Sequence, residues 1–245
     1  GTVQLVMSAR HDAYWAEFFG IEVAQWSTPG ISYRPHRGLR GYQGLWTFHR
    51  LNRVVVSAPV PWLARLETQW AGWERARLAD PGELAASLSD ACERCIGPAF
   101  HGSLELGSLR ELETGHVRPL TEDDQPPVAR FRERCGAEAW NDSGLDDVRA
   151  GAYGYLEGHE VTAMAGVRVR DNIVADVCVL TDPQHRGEGR GAAVVSAAAR
   201  LALAEGKLVT YQTLESNRSA VGLALSVGFQ RCASHVAVRL ARLAP

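Results

Sequence analysis

Between residues 151 and 213 the chain leaves itself few ways to fold. Residues 151–156 alternate as a strand, Glu157-Gly158-His159-Glu160 turns the chain, and 161–169 return. Arg170-Asp171-Asn172 turns it again into a strand over 173–181. Connections this short cannot carry a crossover, so the three strands form an antiparallel meander. A glycine-rich loop follows, then an Ala-rich helix over about 191–205 and a strand over 208–213. In this β-loop-α-β unit the two strands run parallel. Asn217 begins a further helix that stops at Gly228, and a last strand covers 232–240. The fold class is therefore α/β, with a mixed sheet.

Upstream of the meander, residues 117–120 read as a short strand. Thr121 then caps a helix over 124–135 whose first turn is acidic. The charged stretch 107–124 reads as a seam, with a second domain over 116–245 and a smaller α/β domain over 1–110. In the smaller domain, 11–19, 61–75 and 81–94 read as helices, and 31–33, 45–48 and 54–57 as strands. It contains no motif that chemistry attaches to.

Charge excludes some classes of partner. Among 245 residues, 28 acidic side chains face 26 basic ones, for a net charge of -2. No positive excess is available to grip nucleic acid or an anionic membrane. No apolar run reaches the length of a membrane span. No signal peptide is visible, and a start on Gly1 instead of Met reads as a trimmed or added residue. Five cysteines, an odd and dispersed set, argue for reduced thiols and a cytoplasmic setting. Cys92 and Cys95 form a lone C-x-x-C at the end of the helix over 81–94. Without a second pair they read as packing, with redox chemistry as the alternative, and not as a zinc site.

The chemistry is concentrated at Val179-Leu180-Thr181-Asp182-Pro183-Gln184-His185-Arg186-Gly187-Glu188-Gly189-Arg190-Gly191-Ala192. Glycines let the main chain approach a ligand and take positive φ. Their N–H groups, with the free N–H groups of the following helix, make a nest for anionic oxygens. Ala192 keeps the first turn small and Arg186 adds a positive charge, a combination suited to a pyrophosphate. Gly187, Gly189 and Ala192 also match a Rossmann dinucleotide pattern. That pattern lies directly after the first strand of a doubly wound sheet, whereas here a five-residue connection and a meander come first. A P-loop lacks its Gly-Lys-Ser/Thr.

Arg186-Gly187-Glu188-Gly189-Arg190-Gly191 resembles the Arg/Gln-x-x-Gly-x-Gly/Ala signature of the GNAT superfamily of N-acetyltransferases. Thr181-x-Pro183 stands where that family usually has Val-x-Pro. Val117-Arg118-Pro119-Leu120-Thr121-x-x-Asp124 resembles its opening strand and cap. Asn217-x-x-Ala220, with Leu223 and Gly228-Phe229, resembles its second motif. The resemblance covers about residues 116–242. It implies a GNAT-like fold there, and acetyl-CoA as cofactor.

The resemblance also implies roles. The strand edge at Val179, Leu180 and Thr181 would pair with the pantetheine amides. The N–H groups of Gly187, Gly189, Gly191 and Ala192 would hold the pyrophosphate beside Arg186. Asn217 would contact the coenzyme or the chain near the thioester, although Asn is also a good helix N-cap. The region holding Glu138, Trp140, Asn141 and Asp142 would shape the acceptor pocket. There Trp140 reads either as the receiver of a cationic amine or as a loop anchor. The family's Tyr acid, seven residues after the Asn, is Ala224 here, and its Glu base is Gln212. Asp176 is the candidate base, or an ordinary strand carboxylate. Cys178 reads as packing and His185 as a loop residue.

The expected activity is acetyl transfer from acetyl-CoA to a primary amine, on a small molecule or a peptide, by direct attack. Neither a nucleic acid nor a membrane is an expected partner. The alternatives are an acyl-CoA-binding or sensing module, motivated by Ala224 and Gln212, and a nicotinamide oxidoreductase. Residues 1–110 read as either a degenerate GNAT-like copy or an acceptor-binding unit.

Overall fold

Helix α1, Ala9–Phe19, puts Trp15, Ala16, Phe18 and Phe19 on one buried face. It is followed by β1 (Gly30–Pro35), β2 (Gly44–Arg50), β3 (Arg53–Ala58), α2 (Val60–Gln69), α3 (Pro81–Ser87) and β4 (Cys92–Leu104). The computed structural model describes residues 9–112, 115–148 and 151–241. Gly1, Thr114 of the seam and residues 242–245 of the expected second domain lie outside the described residues.

The chain forms two compact units, and the division is not a single cut. One unit holds 1–101, 213–218 and 231–245; the other holds 102–212 and 219–230. In the first, strand order is β1-β3-β2-β10-β4, with β10 (Gln230–Leu240) contributed by the far end of the chain. Period-2 alternation gives this sheet two buried faces. Leu45, Val54 and Val56 pack under α2 and α3 with Trp62, Leu66 and Leu84. Phe48 and Val55 pack against Trp15, Phe19 and Trp26. On the second face, the His235 ring stacks on Trp46 at 3.9 Å and shares a hydrogen bond with His101.

Two readings of this region need correction. The helix expected over 81–94 ends at Ser87, and Cys92 and Cys95 instead open strand β4. The Ser87 hydroxyl donates back to the Leu84 carbonyl, and Ser89 and Asp90 are poor helix formers. Sheet pairing beyond that point outweighs the local preference. Helix α2 likewise stops at Gln69, short of residue 75.

The second unit follows the expected order. It contains β5 (Val117–Pro119), α4 (Gln125–Cys135), α5 (Ala137–Ser143), β6 (Tyr153–Glu157), β7 (Glu160–Arg170), β8 (Val174–Thr181), α6 (Arg190–Ala204), β9 (Leu208–Leu214) and α7 (Arg218–Val227). Strands β6, β7 and β8 pair antiparallel, and β8 pairs parallel with β9. Asp171 and Asn172 take φ of 52° and 56°, the left-handed pair that a tight hairpin demands. Asp124 anchors the entry to α4. Its carboxylate accepts from the Thr121 N–H at 2.8 Å and from Arg118 at 2.7 and 2.8 Å. Helix α5 fills part of the stretch between α4 and β6. Gly136 before it and Gly144 after it, both at positive φ, mark its ends. Phe131, Trp140, Leu145, Met164 and Cys178 form the core beneath α4 and α5.

Candidate functional site

The sheet of the second unit parts at one place. β8 and β9 are in register only from Val174–Leu208 to Asp176–Thr210. β8 continues to Thr181, held on its other side by β7 as far as the Ala163–Thr181 pair. Residues 177–181 therefore turn main-chain N–H and C=O groups toward the side β9 has left, and these groups need partners. Alternation divides the side chains. Leu180 and Cys178 join the core under α4 and α5. Val179 and Thr181 turn toward α6, where a Cβ on Gly191 would lie 3.8 and 2.8 Å from them.

The loop after β8 explains its glycines individually. Gly187 and Gly189 have φ of 81° and 78°, and a Cβ on either would meet nothing within 4 Å. They are glycine for backbone conformation, and open space lies in front of them. Gly191 differs, since a Cβ there would come within 2.8 Å of Leu223 and Thr181. It is small so that α6 can pack. The first bond of α6 runs from Ala193 N–H to Gly189 O at 3.1 Å. The N–H groups of Arg190, Gly191 and Ala192 precede it and have no helical acceptor. Arg186 is exposed and enters no ion pair among the described residues. Amides without a helical acceptor at the N-terminus of a 15-residue helix, open space and one exposed guanidinium could hold an anionic group such as a diphosphate. Asn217, exposed and directly before α7, is counted with the first unit.

Asp176 closes the paired segment and is 5% exposed. One oxygen accepts from Arg168 at 2.8 Å, the other from the Thr210 hydroxyl at 3.1 Å. The Arg168 partner follows from the observed register of β7 on β8, which sets 168 opposite 176. Cys178 is 2% exposed, and burial pushes its thiol up to about 11, which leaves it unreactive at neutral pH. Burial likewise raises the Tyr211 phenol, with help from the charge of Asp176.

The expected acceptor residues do not gather on one surface. Trp140 is buried in the core with its indole N–H on Asp146 at 2.7 Å, and Arg132 lies over its ring at 5.1 Å. Glu138, Asn141 and Asp142 are exposed on α5. His185 is 3.2 Å from Glu188. Gln212 is half-buried, and Ala224 is 0% exposed.

Residues 117–229 match the model of the Acetyltransferase (GNAT) family. No curated protein is significantly similar in sequence. Among solved structures, a protein of Novosphingobium aromaticivorans assigned to the GNAT family is 25% identical with a TM-score of 0.48, over 62% of this chain and 67% of that one. A GNAT-family acetyltransferase from Colwellia psychrerythraea is 16% identical with a TM-score of 0.49, over 64% of this chain and 61% of that one. A GCN5-related N-acetyltransferase from Kribbella flavida is 19% identical with a TM-score of 0.43, over 63% of each. The chain thus spans less than two thirds of the length of the last two.

Proposed function

We propose, from the premise that residues 117–229 are a domain of the GNAT acetyltransferase family, that this chain transfers an acetyl group from acetyl-CoA to a primary amine. The observation that carries the reading is the parting of β8 from β9 after Asp176. It leaves a strand edge that runs directly into the glycine loop. Val179, Leu180 and Thr181 would pair along the coenzyme's amide-bearing arm. The N–H groups of Gly187, Gly189, Gly191 and Ala192 would hold its diphosphate, with Arg186 beside them. The bound coenzyme supplies an activated acetyl thioester.

The chain's own contribution to rate is mainly positioning and main-chain N–H stabilisation of a developing oxyanion. Position 224, where the family has its Tyr acid, is Ala here, and the departing thiolate takes its proton from another group or from water, or leaves without one. Asp176 is the candidate to take the amine proton, and its two bonds to Arg168 and Thr210 hold it in place at the end of the paired segment.

A binding or sensing module is the second reading, favoured by the full burial of Ala224 where the family's acid would stand. Release of free CoA thiol from acetyl-CoA with a panel of small amines and basic peptides separates the two. Thermal stabilisation by CoA with no thiol release from any amine would favour the module. Stabilisation by NADPH and not by CoA would sink both.

A further inference from the structure

We infer that Thr162 of β7 is the positioning residue for the coenzyme loop, because both ends of that loop are fastened to it. The inference rests on the coenzyme reading above. At the near end, the Asp182 N–H donates to the Thr162 carbonyl at 2.9 Å. At the far end, Arg190 Nη1 donates to the Thr162 hydroxyl at 2.8 Å. That hydroxyl spends its own proton on the Tyr155 carbonyl at 3.3 Å, so its orientation is set from both sides. Thr162 is 4% exposed, where an unmade hydrogen bond is costly.

Each end is itself braced. Asp182 accepts from Gln184 N–H at 3.0 Å and from Arg134 Nε at 2.7 Å, and its carbonyl accepts from His185 N–H at 2.9 Å. Burial alone would raise its carboxyl, but the bonds from Arg134 and Gln184 outweigh this and hold it below the usual carboxylate range. Arg190 lies over the Tyr155 ring at 5.0 Å and also grips Glu157 and Glu188, each at 2.8 Å. Its charge is thereby spent inward, on β6, β7 and the loop, and is not offered to a ligand. Between the two anchors lie Gly187 and Gly189, which no side chain restrains. Two glycines in a loop would ordinarily make its amides expensive to order on binding. Anchoring both ends to one buried residue removes much of that freedom beforehand.

The test is Thr162→Val, which keeps the shape and deletes the hydroxyl, with Thr162→Ser as the rescue and Arg190→Lys as an independent cut from the other end. CoA is the probe, by thermal shift and calorimetry. The Kd for CoA and the KM for acetyl-CoA rise about tenfold in Thr162→Val, as the loss of one charge-assisted bond implies. The kcat at saturating acetyl-CoA stays within about threefold, and Thr162→Ser restores both constants. Amide exchange over 184–189 accelerates in the free variant. A role in folding alone would instead lower kcat by depleting active protein and leave KM unchanged, which would overturn the inference. So would unchanged CoA affinity in both Thr162→Val and Arg190→Lys while the parent binds CoA. Should the parent itself fail to bind CoA, the coenzyme reading falls and this inference with it.

Discussion

Gly187, Gly189 and Gly191 alternate in the sequence, but substitution should separate them. Gly189→Val places a branched side chain at φ 78° in the open space before the loop. CoA affinity should fall by about an order of magnitude or more while the melting temperature drops modestly. Gly191→Val drives its side chain into Leu223 and Thr181, so thermal melts should show loss of the fold before any binding defect can be measured. Asp176→Asn tests the base. A base role predicts a loss in kcat of about a hundredfold near neutral pH that shrinks as pH rises and the amine deprotonates unaided. Catalysis by positioning alone predicts less than about tenfold at every pH. Restoring the family's acid by Ala224→Tyr should fail, because position 224 is fully buried. We expect more than about 3 kcal/mol of destabilisation by denaturant titration, and no gain in kcat.

At the level of elements, the meander, the glycine loop and α6 were legible because short turns and a 3.6-residue period leave one solution each. The turn at Asp171–Asn172 was legible too, but its register was not: Arg170 pairs with Val174, which sets Arg168 opposite Asp176, whereas a two-residue turn at 171–172 would set it opposite Ala175. What sequence could not supply was set by distant partners. Cys92 and Cys95 belong to a strand because of the sheet it joins. Trp140, readable in the sequence as a loop anchor, packs with Phe131 and Cys178, partners that no local pattern names. Thr162 looked like any strand threonine. The entry to α4 gives a pH prediction. Hydrogen bonds from Arg118 and Thr121 hold the Asp124 carboxyl well below the usual carboxylate range. A depressed carboxyl contributes stability above its unfolded value, near pH 4, and loses it as pH falls toward the folded value. Asp124→Asn should therefore cost about 1 kcal/mol at pH 7 and progressively less below about pH 4, in paired urea titrations.

For the molecule as a whole, the buried histidines of the first unit add a separate contribution to the acid response. Burial lowers both His11 and His235 to about 4. Well above pH 6.5 they are neutral whether folded or unfolded, and stability does not depend on them. Between about 6.5 and 4 only the unfolded chain takes up their protons, so stability falls with pH, by up to about 1.4 kcal/mol per pH unit for each. Melting temperature should decline across that window and flatten in its dependence on these groups below it. His235→Gln should make the decline shallower. The discontinuous make-up of the first unit has a further consequence, for the order of events on the ribosome. β2 pairs at once with β3, but its second edge obtains a partner only when Ser234 to Arg239 of β10 have been synthesised, although β2 itself ends at Arg50. The N-terminal unit, made first, is thus completed last, and its apolar strands must wait through most of translation with one edge open. A stalled or truncated product ending anywhere before β10 would carry that edge exposed, which makes it a ready substrate for chaperones and for aggregation.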